Sequence, residues 1–324
     1  MGGVVVTGAA GFIGSYLVDA LASRRGFEEI IGVDNLSSGS LDNLRSHLGR
    51  GYFRFIRGDL KDPRGGWVDG FRDAGVVFHF AANPEVRLSS ESPKASFWDN
   101  VVASFNVLEA ARRFGVEWIV YASTSTVYGD AGVIPTPEDY HPLRPISVYG
   151  ASKLAVENLI HSYCSLYGIR GLIVRYANVV GPRSNHGVIV DFIRKLRENP
   201  RVLEILGDGS QRKSYLYVGD AVDATLHLFD YVRDRNGVFE VFNVGSSDWI
   251  TVREIADIVV GEMGLEGVEY RFRPATSDGR GWPGDVKFML LDVPRLLSTG
   301  WRPRYDSAGA VRLTVRGLLQ SYDR

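Results

Sequence analysis

A glycine-rich turn directly behind the first apolar run constrains this chain more than any other feature. Residues 4–6 are all Val and lead into Thr7-Gly8-Ala9-Ala10-Gly11-Phe12-Ile13-Gly14, with the glycines at G-x-x-G-x-x-G spacing. A helical pattern over 13–23 follows. Glycine permits the tight bend and lets the backbone approach a pyrophosphate, and the helix N-terminus then offers free N–H groups to the anion. The same turn can be a plain connector, so its meaning depends on its surroundings.

Those surroundings repeat. Apolar runs rich in Val, Ile, Phe and Tyr recur at 30–33, 52–56, 76–80, 118–121 and 172–176, each too short for a helix. Continuous apolar strands suit a parallel sheet covered on both faces. Helical patterns lie between them, at 13–23, 95–113 and 148–167. This alternation predicts an α/β fold with a doubly wound parallel sheet, a Rossmann-type nucleotide-binding domain. The reading places that domain at 1–176, with a returning segment at about 214–246 that includes a further buried strand at Phe239–Val244. A smaller mixed α/β lobe takes 177–213 and 247–324.

Composition excludes several classes. The 324 residues hold 37 basic and 38 acidic side chains, which leaves no general basic coat for nucleic acid. Cys164 is the single cysteine, so no internal disulfide or multi-cysteine metal cluster can form. His79, His141, His161 and His186 lack helical-spaced partners, and no metal is expected. No apolar run approaches the roughly 18 residues of a membrane span. Residues 1–6 lack a charged n-region and a long apolar core, so the expectation is a cytoplasmic protein without a secretory signal.

Two acids and two hydroxyl-bearing segments give the turn its context. Asp34 closes the second run 20 residues after Gly14. An acid there binds the adenosine ribose 2′-hydroxyl and repels a 2′-phosphate, which favours NAD over NADP; the alternative is a loop acid or helix cap. Asp59, after the third run, is either an acceptor for the adenine amino group or a turn acid. Tyr149 and Lys153 stand at i, i+4 on one helix face. A tyrosine of pKa about 10 becomes a base at neutral pH only where positive charge favours its phenolate. Upstream, Ser123-Thr124-Ser125-Thr126 ends the fifth run and offers a hydroxyl to the same substrate oxygen.

With these residues in this order, the sequence resembles the extended short-chain dehydrogenase/reductase family, and within it the UDP-glucose (UDP-galactose) 4-epimerases. The matching stretches are TGAAGFIG at 7–14, DNLSSG at 34–39, GDL at 58–60, HFAA at 79–82, STSTVYG at 123–129, YGASK at 149–153 and RYANVVGPR at 175–183. GDGSQRKSYLYVGDA at 207–221 and RGWPGDV at 280–286 extend the resemblance to nearly the whole chain. It implies that Gly8, Gly11, Phe12, Ile13 and Gly14 cradle the NAD pyrophosphate, and that Asp34, Asn35, Leu36, Ser37, Ser38 and Gly39 hold the adenosine ribose. Asp59 and Leu60 would flank adenine, while Phe80, Ala81, Ala82, Asn100, Ser123 and Tyr176 would line the rest of the cofactor. Tyr149 would be the base, Lys153 would bind the nicotinamide ribose, and Thr124 would stand where many members have Ser.

For the UDP-hexose, the matching positions are Asn178, Val188, Glu204, Ile205, Leu206, Lys213, Tyr215, Arg280 and Asp285. Lys213 replaces a usual Arg and lacks its bidentate fork. Leu206 lies where an aromatic can stack on uracil, and Met289 where a bulky Tyr restricts the hexose pocket in some members. Arg87 either faces the sugar or is solvated.

The implied activity is reversible inversion at C4 of a UDP-hexose through a 4-keto sugar, with NAD tightly bound and a homodimer as the family expectation. Sugar-nucleotide dehydratases place an Asp-Glu pair, and UDP-glucuronate decarboxylases a Glu, where Ser125 and Thr126 stand here. UDP-N-acetylglucosamine and UDP-glucuronate remain alternative substrates. An NAD-binding sensor or scaffold on the same fold is the non-enzyme alternative.

Overall fold

In a computed structural model, residues 2–24, 26–235 and 237–322 are described. The chain divides into two compact units. The first comprises Met1–Val127, Val148–Arg175 and Val222–Phe242. The second comprises Tyr128–Ser147, Tyr176–Ala221 and Asn243–Arg324. Among the described residues no helix is long and apolar enough to cross a membrane.

The first unit is built on seven strands: β1 (Gly3–Thr7), β2 (Ile30–Asp34), β3 (Phe53–Arg57), β4 (Ala74–His79), β5 (Trp118–Thr124), β6 (Arg170–Tyr176) and β7 (Phe239–Val244). Their order across the sheet is β7-β6-β5-β4-β1-β2-β3. Pairing is parallel, with Val5 opposite Ile31 on one side and Val77 on the other. The predicted doubly wound sheet is therefore present, and β7 joins it at the edge. β1, β2 and most of β5 and β6 are buried along their whole length, which is why they read as continuous apolar runs rather than alternating ones. The order changes direction between β1 and β4, so the carboxyl ends of these two strands open a crevice where an α/β sheet takes its ligand.

Helices cover the sheet: α1 (Phe12–Ser23), α2 (Ala103–Phe114), α3 (Val148–Tyr167) and α4 (Val218–Arg233). Leu17, Val18 and Leu21 of α1 are buried at helical spacing. On the α2–α3 side the core includes Trp67, Phe71, Val107, Ile119, Val156 and Ile160. Phe229 of α4 meets Phe78 and Trp118 edge-on at 5.5 and 5.6 Å. The run predicted as one helix over 95–113 is interrupted: Pro93–Ser96 is α-helical, Phe97–Val102 forms a π-helical turn, and α2 follows. That wider turn carries the buried Asn100, whose carboxamide oxygen accepts from Asn83 N at 2.7 Å and whose amide donates to Ser152 Oγ at 2.9 Å.

The second unit has smaller sheets. Tyr215–Tyr217 pairs in parallel with Asn178–Val180. Glu269–Arg273 pairs in parallel with Val202–Leu206. Arg212–Lys213 lies between Ile250–Thr251 and Phe288–Met289. Helices Val188–Glu198, Val252–Glu262 and Ser307–Tyr322 close this core around Phe192, Ile193, Ile255, Val259 and Val311.

A polar chain is buried where β1 and β4 end. His79 is 1% exposed. Its Nδ1 accepts from the Thr7 hydroxyl at 2.7 Å, and its Nε2 donates to Ser104 Oγ at 2.7 Å. Ser104 in turn donates to Asn100 O, and Thr7 Oγ1 accepts from the backbone N–H of Phe80 and Ala81. Every acceptor is used only if the imidazole is neutral with its proton on Nε2. Burial, aided by the charge of Lys153, pushes the ring from 6.5 down to about 3.

An unfolded His79 takes up a proton below pH 6.5 while the folded one does not, so stability falls as pH drops through 6.5 towards 3. Urea unfolding should show about 2 kcal/mol lost from this group between pH 7 and pH 5. His79→Gln should be less stable at pH 7 and should lack that part of the slope; an unchanged slope would refute the assignment.

Candidate active site

The turn 8–14 is built so that only glycine fits at its critical points. Gly8 has φ +71°, and a Cβ there would lie 2.7 Å from Ala81 N. A Cβ on Gly14 would lie 2.0 Å from Gly8 O. The end of β1, the start of α1 and the segment after β4 therefore share a space with no room for side chains. Gly11 is the α1 N-cap with no side-chain partner, and Gly11, Phe12 and Ile13 are all half-buried. A pyrophosphate fits such a bare cradle, because the free N–H groups and the helix dipole both favour an anion.

Asp34 stands beside it, 9% exposed at the end of β2. Its Oδ2 accepts from Ala10 N at 3.0 Å and its Oδ1 from Leu36 N at 2.7 Å. Burial raises its pKa while these backbone bonds oppose the rise. Leu36 takes a left-handed backbone, φ 63°, as the chain bends round the carboxylate. Asn35 and Gly39 are half-buried and Ser37 and Ser38 exposed along this loop. Asp59 is exposed and accepts from Lys61 N at 2.9 Å, with the Lys61 ammonium at 3.4 Å. Its neighbour Leu60 is 6% exposed and belongs to the hydrophobic core. Phe80, Ala81 and Ala82 are half-buried just beyond β4.

The structure brings Thr124, Tyr149 and Lys153 together. Thr124 ends β5, and its hydroxyl hydrogen-bonds the Tyr149 phenol. Lys153, 3% exposed, donates from Nζ to Ala122 O at 2.9 Å. It lies 4.8 Å from the centre of the Tyr121 ring and 5.9 Å from that of Tyr149. Burial pushes Tyr149 up to about 12, against the pull of the Thr124 hydrogen bond. Burial pushes Lys153 down to about 7, against the pull of Glu157. In the protein alone, then, desolvation outweighs the attraction that the Tyr/Lys spacing suggests, and a further positive charge at the site is needed to favour the phenolate.

Two residues expected at the cofactor make other bonds. The Ser123 hydroxyl donates to Glu157. Asn100 is 1% exposed, with its carboxamide engaged by Asn83 and Ser152. Ser152 also donates to Tyr149 O at 2.7 Å, so Asn100 braces the first turn of α3. Arg87 is exposed in a turn.

In the second unit, Tyr176 is 4% exposed, and Asn178 donates from Nδ2 to Ser214 O at 3.1 Å. Val188 opens the helix Val188–Glu198. Glu204 is exposed and pairs with Arg273, Leu206 is half-buried, and Ile205 lies fully within the core. Lys213 Nζ meets Asp285 Oδ1 at 2.6 Å and lies 5.7 Å from the centre of the Trp282 ring. Tyr215 is buried, and burial with the nearby Asp285 charge pushes its phenol upward. Arg280 contacts Asp130 at 3.0 Å, Asp278 at 2.7 Å and Asp285 O at 2.6 Å. Both cations expected at a diphosphate thus already have carboxylate partners. Sequence reasoning missed Asp130 and Trp282, which lie far in sequence from Arg280 and Lys213 respectively. It also missed Glu157, though its i+4 spacing from Lys153 was a visible signal.

The profile of the NAD dependent epimerase/dehydratase family matches residues 4–245. A UDP-glucose 4-epimerase from Mycolicibacterium smegmatis is 36% identical over 96% of this chain and 96% of that protein. UDP-glucuronic acid decarboxylase 6 of Arabidopsis thaliana is 32% identical over 93% of this chain and 84% of that protein. A crystal structure of a UDP-galactose 4-epimerase superposes with TM-score 0.87 at 51% identity, covering 98% of this chain and 99% of the other.

Gly14→Ala forces a methyl against Gly8 O and should open the turn. Dinucleotide retention, measured by cofactor content after gel filtration, should weaken at least about tenfold, equivalent to 1.4 kcal/mol. Full retention would show that the turn is not the cradle.

Proposed function

The chain belongs to the NAD dependent epimerase/dehydratase family, and from that premise we propose that it is a UDP-hexose 4-epimerase interconverting UDP-galactose and UDP-glucose. The observation that carries the reading is the set at the end of β5: a Tyr149 phenol bonded to Thr124, with Lys153 buried beside it. Bound NAD supplies reversible hydride acceptance at C4. The residues of the turn 8–14 hold its pyrophosphate, and Asp34 its adenosine ribose.

Thr124 and Tyr149 take the 4-hydroxyl between them. Tyr149 accepts its proton as phenolate, and Lys153 holds that phenolate by its charge. Tyr149 later returns the proton to the oxygen on the opposite configuration, so proton and redox balances both close. The nucleotide is assigned to Asn178, Val188, Lys213, Tyr215, Arg280 and Asp285. A diphosphate must then compete with Asp285 for Lys213 and with Asp130 and Asp278 for Arg280. Ser125 and Thr126 carry no carboxylate for elimination or decarboxylation, which favours epimerisation over those reactions. Met289, an unbranched and adaptable side chain, favours a tolerant hexose pocket.

We further propose a homodimer. Phe97, Trp98 and Phe105 are 51, 45 and 45% exposed along 97–114, and Leu166 and Tyr167 are exposed at the end of α3. Such an apolar surface suits a partner copy.

Purified protein without added NAD should convert UDP-galactose to UDP-glucose. Tyr149→Phe should lower kcat by about 10²–10⁴ while NAD stays bound. NAD-loaded wild type that leaves UDP-galactose, UDP-N-acetylglucosamine and UDP-glucuronate all unchanged would refute the epimerase reading. Light scattering should give twice the chain mass, and Trp98→Glu should shift it towards one copy; a monomeric wild type would refute the dimer.

A further inference from the structure

Behind Tyr149 and Lys153 lies an ion pair that no role above uses. Glu157, 4% exposed, stands one helical turn beyond Lys153 on α3. Arg175 of β6, 5% exposed, grips it through Nε at 3.1 and 3.2 Å and through Nη2 at 2.7 Å. The Ser123 hydroxyl at the end of β5 donates to the same carboxylate. Burying two charges is expensive, and such a pair often stabilises a fold no better than apolar side chains of equal volume. Its position suggests a use instead.

Lys153 is enclosed by groups from four elements. Tyr149 and Glu157 come from its own helix, and the Tyr121 ring and Ala122 O come from β5. His79 of β4 is neutral and stacks on Tyr121 with centroids 5.5 Å apart. Arg175 of β6 reaches the group through Glu157. The Tyr121 hydroxyl is buried and, among the described residues, has no hydrogen-bond partner. Among these groups the carboxylate of Glu157 is the one fixed negative charge.

We infer that Glu157, clamped by Arg175 and Ser123, is a positioning residue that keeps Lys153 charged and thereby sets how much of Tyr149 stands as phenolate. The inference rests on the Tyr149–Lys153 roles proposed above. When the pair loses its first proton, two forms compete: phenolate with ammonium, or phenol with neutral amine. Their ratio does not depend on pH; it depends on what stabilises the ammonium. Removing the carboxylate favours the neutral amine. The first macroscopic pKa then moves to lower pH while the phenolate yield falls.

The test is the tyrosinate absorbance of the NAD-loaded enzyme against pH, as the difference between each protein and its Tyr149→Phe counterpart, alongside kcat. Glu157→Gln should lower the Tyr149 phenolate signal and kcat together, by about tenfold, with the rising limb displaced to lower pH. Glu157→Asp keeps the charge and should titrate as wild type. In a Lys153→Met background, Glu157→Gln should change neither reading further. Should Glu157→Gln fail to fold, Glu157→Gln/Arg175→Met removes the orphaned guanidinium and should titrate in the same direction. A variant that loses thermal stability but titrates as wild type would overturn the inference. Failure of the epimerase reading alone would appear as inactive wild type with this titration intact; an active wild type without any Tyr149 phenolate signal would overturn the inference and leave the epimerase reading standing.

Discussion

The close packing of the 8–14 turn against the segment after β4 is the constraint on which the first unit depends. Any side chain at Gly14 would collide with Gly8 O, and any at Gly8 with the backbone at Ala81. The contact has to be held from below, and the chain Ala81–Thr7–His79–Ser104–Asn100 does so without a single charge. From Asn100 the bonds continue through Ser152 to the start of α3, so the turn and the Tyr149 helix are braced by one buried network. Such networks are worth most when fully satisfied, because low dielectric strengthens each bond and penalises each gap.

Charge in this protein is held locally. The chain is nearly neutral, with 37 basic and 38 acidic residues. Lys213 faces Asp285, Arg280 faces Asp130 and Asp278, and Arg175 faces Glu157. Lys153 differs: its Nζ donates to a carbonyl, Ala122 O, and it meets its carboxylate one turn away. Burial pushes its ammonium down to about 7, against the pull of that carboxylate. A residue with a poised charge is what a phenol needs if it is to act as a base near neutral pH.

Much of this was legible in the sequence, for reasons that can be located. Glycine spacing, the acid after the second run and the Tyr/Lys pair are local patterns, and local geometry follows from them. The interrupted helix at 93–114 was not legible. A π-helical turn keeps the apolar composition of an α-helix, and the bonds of Asn100 in it, to Asn83 and Ser152, join segments 17 and 52 residues apart. The direction of the Ser123 hydroxyl was also invisible, since its acceptor lies 34 residues away on another element.

The sequence by itself determined the strand–helix alternation, the parallel sheet, the phosphate turn and the presence of Thr124, Tyr149 and Lys153. These depend on continuous apolar runs, on the 3.6-residue helical period and on glycine's conformational freedom. The tertiary structure alone decided which charges meet. Arg175 reaches Glu157 because α3 packs on β5, the sheet neighbour of β6, and Lys213 reaches Asp285 across 72 residues of chain. Such pairings depend on strand order and register. No spacing along the chain encodes them, and desolvation, which depends on the whole fold, then sets how each group titrates.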